Sequence, residues 1–133
     1  MSSADSPACG RTLAGLRILV VDDEPLVAML AEDMLRDAKA ADVFIANNEA
    51  SARDVLGRIN DIGGAVIDVN LWGTPSFAIA RMLRERGIPF VFATGYGDQA
   101  GVPDDVRDAP IVTKPFAPRE LVSMLLKAIA ASR

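Results

Sequence analysis

The sequence predicts an α/β domain in which helices cover both faces of a parallel sheet. Short apolar runs recur along the chain, RILVV at 17–21, AVI at 65–67, FVFA at 90–93 and IVT at 111–113, and each stops at a polar residue. Such runs, rich in β-branched and aromatic residues, are those of strands buried on both faces. Between them, apolar residues repeat at helical spacing. Strands alternating with helices require parallel pairing and right-handed crossovers. The polar residues that end the runs are Asp22-Asp23, Asp68, Thr94 and Lys114. In open parallel sheets the C-terminal strand edge is where ligands and chemistry collect.

Taken in order, residues 1–14 read as a flexible tail and 15–133 as one domain, within the usual size of a single core. The strand over 17–21 ends at Asp22-Asp23. Glu24-Pro25 opens a helix to about residue 38, with Pro near the first turn, where its missing N–H costs nothing. Val27, Leu30, Ala31, Met34, Leu35 and Ala38 are its expected apolar face. A second strand covers 42–46. Asn47 or Asn48 caps a helix through about Ile59, with Ala52, Val55, Leu56 and Ile59 facing inward. Gly63-Gly64 is expected to break the chain before the third strand, which ends at Asp68. Pro75-Ser76 starts a helix that stops near Gly87, a C-terminal capping glycine. The fourth strand covers 88–93. Residues 95–110 hold three glycines and two prolines, so a fourth helix there is expected to be short or mobile. After the strand at 111–113, Pro118 opens a last helix with Leu121, Val122, Leu125, Leu126 and Ile129 on one face.

Composition excludes several kinds of activity. The net charge is −4 and no basic cluster occurs, which argues against a nucleic-acid surface. No apolar run approaches the roughly 20 residues of a membrane helix, and the N-terminus lacks the apolar core of a secretory signal. A lone Cys9 forms no internal disulfide, which fits a reducing, cytoplasmic setting; with no partner group nearby it reads as a bystander thiol. There is no histidine, so Ser-His-Asp and Cys-His catalysis and His-ligated zinc are all absent. No phosphate-binding glycine loop follows the first strand.

What remains is carboxylates, a hydroxyl and a lysine. Asp68 stands 46 residues after Asp22 and 46 before Lys114, so only the fold can bring them together. Three carboxylates at one sheet edge repel one another unless a cation joins them. Mg²⁺ suits such a site, because it takes a few carboxylates and keeps several waters. Carboxylate, Mg²⁺, lysine and hydroxyl together suit phosphoryl transfer, with a carboxylate able to serve as nucleophile.

These residues resemble the receiver domain of bacterial two-component response regulators over about residues 16–132. The matching features are Asp22-Asp23 after the first strand, Asp68 after the third, Thr94 after the fourth, and Lys114-Pro115-Phe116 after the fifth. The resemblance implies a flavodoxin-like sheet of five strands in the order 2-1-3-4-5. It implies that Asp68 is the phosphoacceptor. It implies that Asp22, Asp23, Asp68 and the backbone carbonyl of Asn70 hold Mg²⁺ or Mn²⁺, and that Thr94 and Lys114 hold phosphoryl oxygens. The donor would be a sensor histidine kinase or a histidine phosphotransfer protein. Such a domain catalyses only its own phosphorylation and dephosphorylation.

The string Phe92-Ala93-Thr94-Gly95-Tyr96 also resembles a single-domain receiver subfamily of stress and related signalling pathways. No output domain is expected after the last helix, so the expected readout is binding to a downstream protein, or draining phosphate from a shared kinase. The chain departs from the family at Ile111, where an aromatic is usual, and at Leu71-Trp72, where Met-Pro is common. Ile111 has no polar tip and is stiff at χ1. Tyr96, between Gly95 and Gly97, is therefore the expected moving element, with Ile111 as the next candidate, and Trp72 is an expected reporter of metal binding. Two competing functions are a Mg²⁺-dependent phosphatase that turns over on Asp68, and a binding module that never uses its phosphoacceptor. No cap domain or substrate-pocket insertion favours the phosphatase.

Overall fold

Each apolar run becomes a strand and each amphipathic stretch a helix. In chain order these are β1 (Arg17–Val21), α1 (Pro25–Asp37), β2 (Asp42–Ala46), α2 (Glu49–Arg58), β3 (Ile62–Asp68), α3 (Phe77–Glu85), β4 (Phe90–Thr94), a 3₁₀ turn (Asp104–Val106), β5 (Ile111–Thr113) and α4 (Pro118–Ala131). The computed structural model describes residues 13–71, 74–95, 103–106 and 109–131, with the backbone alone at 70–71 and 74–75. Cys9, Trp72 and Tyr96 lie outside the described residues.

The five strands pair in parallel in the order β2-β1-β3-β4-β5. This is the 2-1-3-4-5 order that the resemblance implies. Successive side chains of a strand point to opposite faces, and the core splits accordingly. Leu19, Val21, Ile67 and Phe92 pack with α2 and α3 on one face. Ile18, Val20, Val66, Val91 and Val112 pack with α1 and α4 on the other.

Several boundaries depart from the sequence-based expectation. Leu13 is fully buried and donates its N–H to the Ala38 carbonyl at 2.8 Å, and Ala14 bridges Ala40. The packed body therefore includes Leu13 and Ala14, which the sequence placed in the tail. Gly63-Gly64 does not break the chain, because β3 already starts at Ile62. Arg17 pairs with Ile62 and Ile18 with Gly64, so Gly63 is the extra residue of a bulge. A Cβ on Gly63 would lie 2.9 Å from Leu16 Cδ2. Leu30 is not on the inner face of α1. It is 56% exposed, while Ala28, Ala31 and Leu35 face the core.

Helix α2 starts as expected, at Asn48. Its side chain accepts from the Ser51 N–H at 2.8 Å, and Ser51 Oγ accepts in return from the Asn48 N–H at 3.2 Å. In the described part of 95–110 the expected fourth helix is one 3₁₀ turn. Val106 anchors it in the core with no exposure, and Arg81 of α3 grips Asp105 at 2.7 Å. That hydrogen bond holds the Asp105 carboxyl below the usual carboxylate range.

Candidate functional site

Strand register brings the distant polar residues to one edge. Val21 pairs with Ile67, so Asp22 and Asp68 follow as neighbours. Asp68 pairs with Ala93, and Thr94 with Thr113, just before Lys114. The Lys114 N–H donates to the Thr94 carbonyl at 2.8 Å, and the Lys114-Pro115 peptide is cis. Asp22 and Asp68 are 4% and 6% exposed, burial that charged groups tolerate only when paired. The pairing is Lys114, whose Nζ lies 2.9 Å from Asp22 Oδ2 and 3.1 Å from Asp68 Oδ2. Burial alone would lower the Lys114 pKa. The hydrogen bond and charge of Asp22, then those of Asp68, outweigh it and raise the ammonium above its ordinary value.

A third carboxylate joins that sequence reasoning missed. Glu24 Oε1 lies 3.6 Å from Lys114 Nζ, and acidic oxygens of Asp22, Glu24 and Asp68 fall within 4.8 Å of one another. The Glu24 N–H donates to Asp22 Oδ1 at 2.9 Å, and this turn brings Glu24 back over the edge. Asp23 lines a groove of about 300 Å³ that opens beside Asp22 and includes Met29, Ile45, Asn47 and Ser51. Glu24 was legible only as the residue that opens α1. It stands at the helix N-cap, but its side chain makes no capping bond.

Thr94 is fully buried, and its hydroxyl donates to the Gly95 carbonyl. Ile111 is half-buried, pairs with Phe92 and packs on the core. Asn70 pairs with Pro75, and Leu71 with Thr74, in a two-residue antiparallel ribbon just beyond Asp68. Ser76 is a second residue that sequence reasoning missed. It reads as the start of a helix, yet its hydroxyl reaches the main chain of Asp68 at 2.6 Å.

Hard oxygen donors around one small pocket suit Mg²⁺ rather than a soft metal. The three clustered carboxylates outnumber the single ammonium beside them, so the donor set fits a divalent cation.

The family model of the response regulator receiver domain matches residues 18–126. This chain belongs to that family. Receivers are phosphorylated on aspartate in two-component signalling, bind Mg²⁺ at an acidic pocket and interact with histidine kinases or phosphotransfer proteins; they are signalling switches rather than enzymes of ordinary turnover. The aerobic respiration control protein ArcA of Escherichia coli K12 is 34% identical over 110 residues, 78% of this chain and 44% of its own length. The chain thus spans less than half of that curated relative. SdrG from Sphingomonas melonis Fr1 is 38% identical with a TM-score of 0.71, over 87% of this chain and 97% of its own. SdrG has also been solved in a BeF₃-activated conformation. A receiver protein from Sinorhizobium medicae WSM419 is 28% identical with a TM-score of 0.75, over 92% of this chain and all of its own.

Proposed function

We propose that this receiver accepts a phosphoryl group on Asp68 and signals, as a single domain, by changing its protein partner or by draining phosphate from a shared kinase. The observation that carries the reading is the Lys114 ammonium seated between Asp22 and Asp68, at 2.9 and 3.1 Å, on the C-terminal edge of the sheet. In the transfer, an Asp68 carboxylate oxygen attacks phosphorus. The P–N bond of a phosphohistidine, or the P–O bond of an acyl phosphate, breaks, and the leaving group keeps the bonding pair. Asp68 becomes a mixed anhydride carrying about −2 charge, close to that of other phosphorylated side chains.

Asp22, Asp68, the Asn70 carbonyl and a carboxylate from Asp23 or Glu24 would hold the cation. Mg²⁺, when bound, neutralises charge on the transferred group. Lys114 is already at Asp68 and needs only a small shift to pair with a phosphoryl oxygen. Thr94 would turn its proton from the Gly95 carbonyl to the same group. With Ile111 apolar and packed on the core, the switch falls to the residues after Thr94, where Tyr96 stands.

A protein donor is supported by the apolar surface beside the site. Leu26 is 75% exposed, Met29 56% and Ile45 41%, and Met29 and Ile45 line the same groove as Asp22 and Asp23. This fits a histidine kinase or phosphotransfer protein.

Labelling by a small acyl phosphate, read by intact mass, is expected to require a divalent cation. An excess of chelator should reduce it to background, because the carboxylates then repel the incoming anion. Full labelling in excess chelator contradicts the cation's part in the site.

A further inference from the structure

We propose that Ser76 is a positioning residue of the phosphoacceptor site, acting through the main chain of Asp68 and Val69. Ser76 sits at the N-cap of α3, where serine ordinarily accepts a hydrogen bond from the first turn. It makes no such bond, and its φ of −92° and ψ of 19° are not the extended values of a capping residue. Its hydroxyl points the other way. It donates to the Asp68 carbonyl at 2.6 Å and leans on the Val69 carbonyl at 3.2 Å. The Ser76 N–H donates to the same Val69 carbonyl at 3.0 Å. The residue is 2% exposed, so no water replaces these bonds easily. At α2, by contrast, Asn48 and Ser51 use their side chains for the cap.

The consequence concerns the peptide groups that follow the phosphoacceptor. Asp68 and Val69 both have their carbonyls tied to Ser76. The ribbon then pairs Asn70 with Pro75, which has no N–H to give the Asn70 carbonyl. The Asn70 carbonyl is therefore the first after Asp68 that this anchor leaves to a cation. Ser76 fixes the end of β3 from below, and so holds both the Asp68 carboxylate and the Asn70 carbonyl in register. Groups that orient a metal ligand in this way change affinity by about 10- to 100-fold when removed.

This inference rests on the phosphoacceptor reading, and the two are separable by one experiment. The full chain is titrated with Mg²⁺ alone, without phosphodonor, and the dissociation constant is read from backbone amide shifts. Ser76→Ala is expected to weaken Mg²⁺ by about tenfold or more. Arg86→Ala, which removes a hydrogen bond from the opposite end of α3 to the Leu56 carbonyl, is expected to bind Mg²⁺ as the wild type does. Ser76→Ala binding within twofold of wild type overturns the inference and leaves the phosphoacceptor reading standing. So does Arg86→Ala weakening Mg²⁺ as much as Ser76→Ala, because general loosening then suffices. If Ser76→Ala does not fold, Ser76→Cys, nearly isosteric but a weaker donor, is measured instead. Weaker binding supports the inference and wild-type affinity overturns it. A wild-type chain with no saturable response to Mg²⁺ overturns both.

Discussion

Phe92→Ala is expected to destabilise the domain by about 3–5 kcal/mol, a large share of the stability of a domain this size. Phe92 has no exposed surface and lies on β4, in the middle of the core shared with α2 and α3. Phe90 meets its ring edge-on at 5.4 Å and Phe77 at 6.0 Å, so truncation removes two aromatic contacts as well as leaving a cavity. Helix α3 and three strands surround the gap and relax only in part. Urea denaturation followed by circular dichroism checks this. The midpoint should fall with little change in slope, and a loss under about 1 kcal/mol contradicts the packing described. The same variant should impair phosphoacceptance, since β4 also carries Thr94.

Lys114→Met is expected to cost about 3 kcal/mol at pH 7 without divalent cation, because removing one partner of a buried ion pair leaves the others uncompensated. Asp22 and Asp68 are the partners left, with Glu24 beside them. The deficit should shrink in Mg²⁺, which replaces the lost positive charge. The alkaline side separates the two proteins again. The Lys114 pKa is raised in the folded state, so its stabilisation is complete below the ordinary value of 10.5. It is lost as pH rises through the higher folded value. Wild type should therefore lose stability above that range by a step that Lys114→Met lacks. Urea midpoints at several pH values, with and without Mg²⁺, measure both effects. A deficit equal at every pH contradicts the electrostatic account.

The strand ends were legible because each apolar run is long enough to be a strand and stops at a polar residue. Asp22, Asp68, Thr94 and Lys114 were found this way, and the parallel register alone brings them together. Glu24 and Ser76 were not. Both precede helices, and local rules read such residues as openings or caps. Which way their side chains turn is decided by tertiary structure: by the Asp22 carboxylate bonding the Glu24 N–H, and by the ribbon that returns Ser76 under Asp68. Asp23, assigned to the site because it adjoins Asp22, lines a groove together with Asp22. Leu30 was misplaced because α1 also carries apolar residues at Leu26 and Met29, and periodicity alone does not say which stripe faces the sheet. Gly63 looked like punctuation, whereas it absorbs a register shift between β1 and β3.

The most direct test of the central claim compares the wild type with Asp68→Asn after incubation with a small acyl phosphate and Mg²⁺, read by intact mass. Asparagine keeps the shape of Asp68 and removes the nucleophilic oxygen anion. The wild type should gain the mass of one phosphoryl group and Asp68→Asn none. Label that persists in Asp68→Asn contradicts the assignment of Asp68 as the phosphoacceptor.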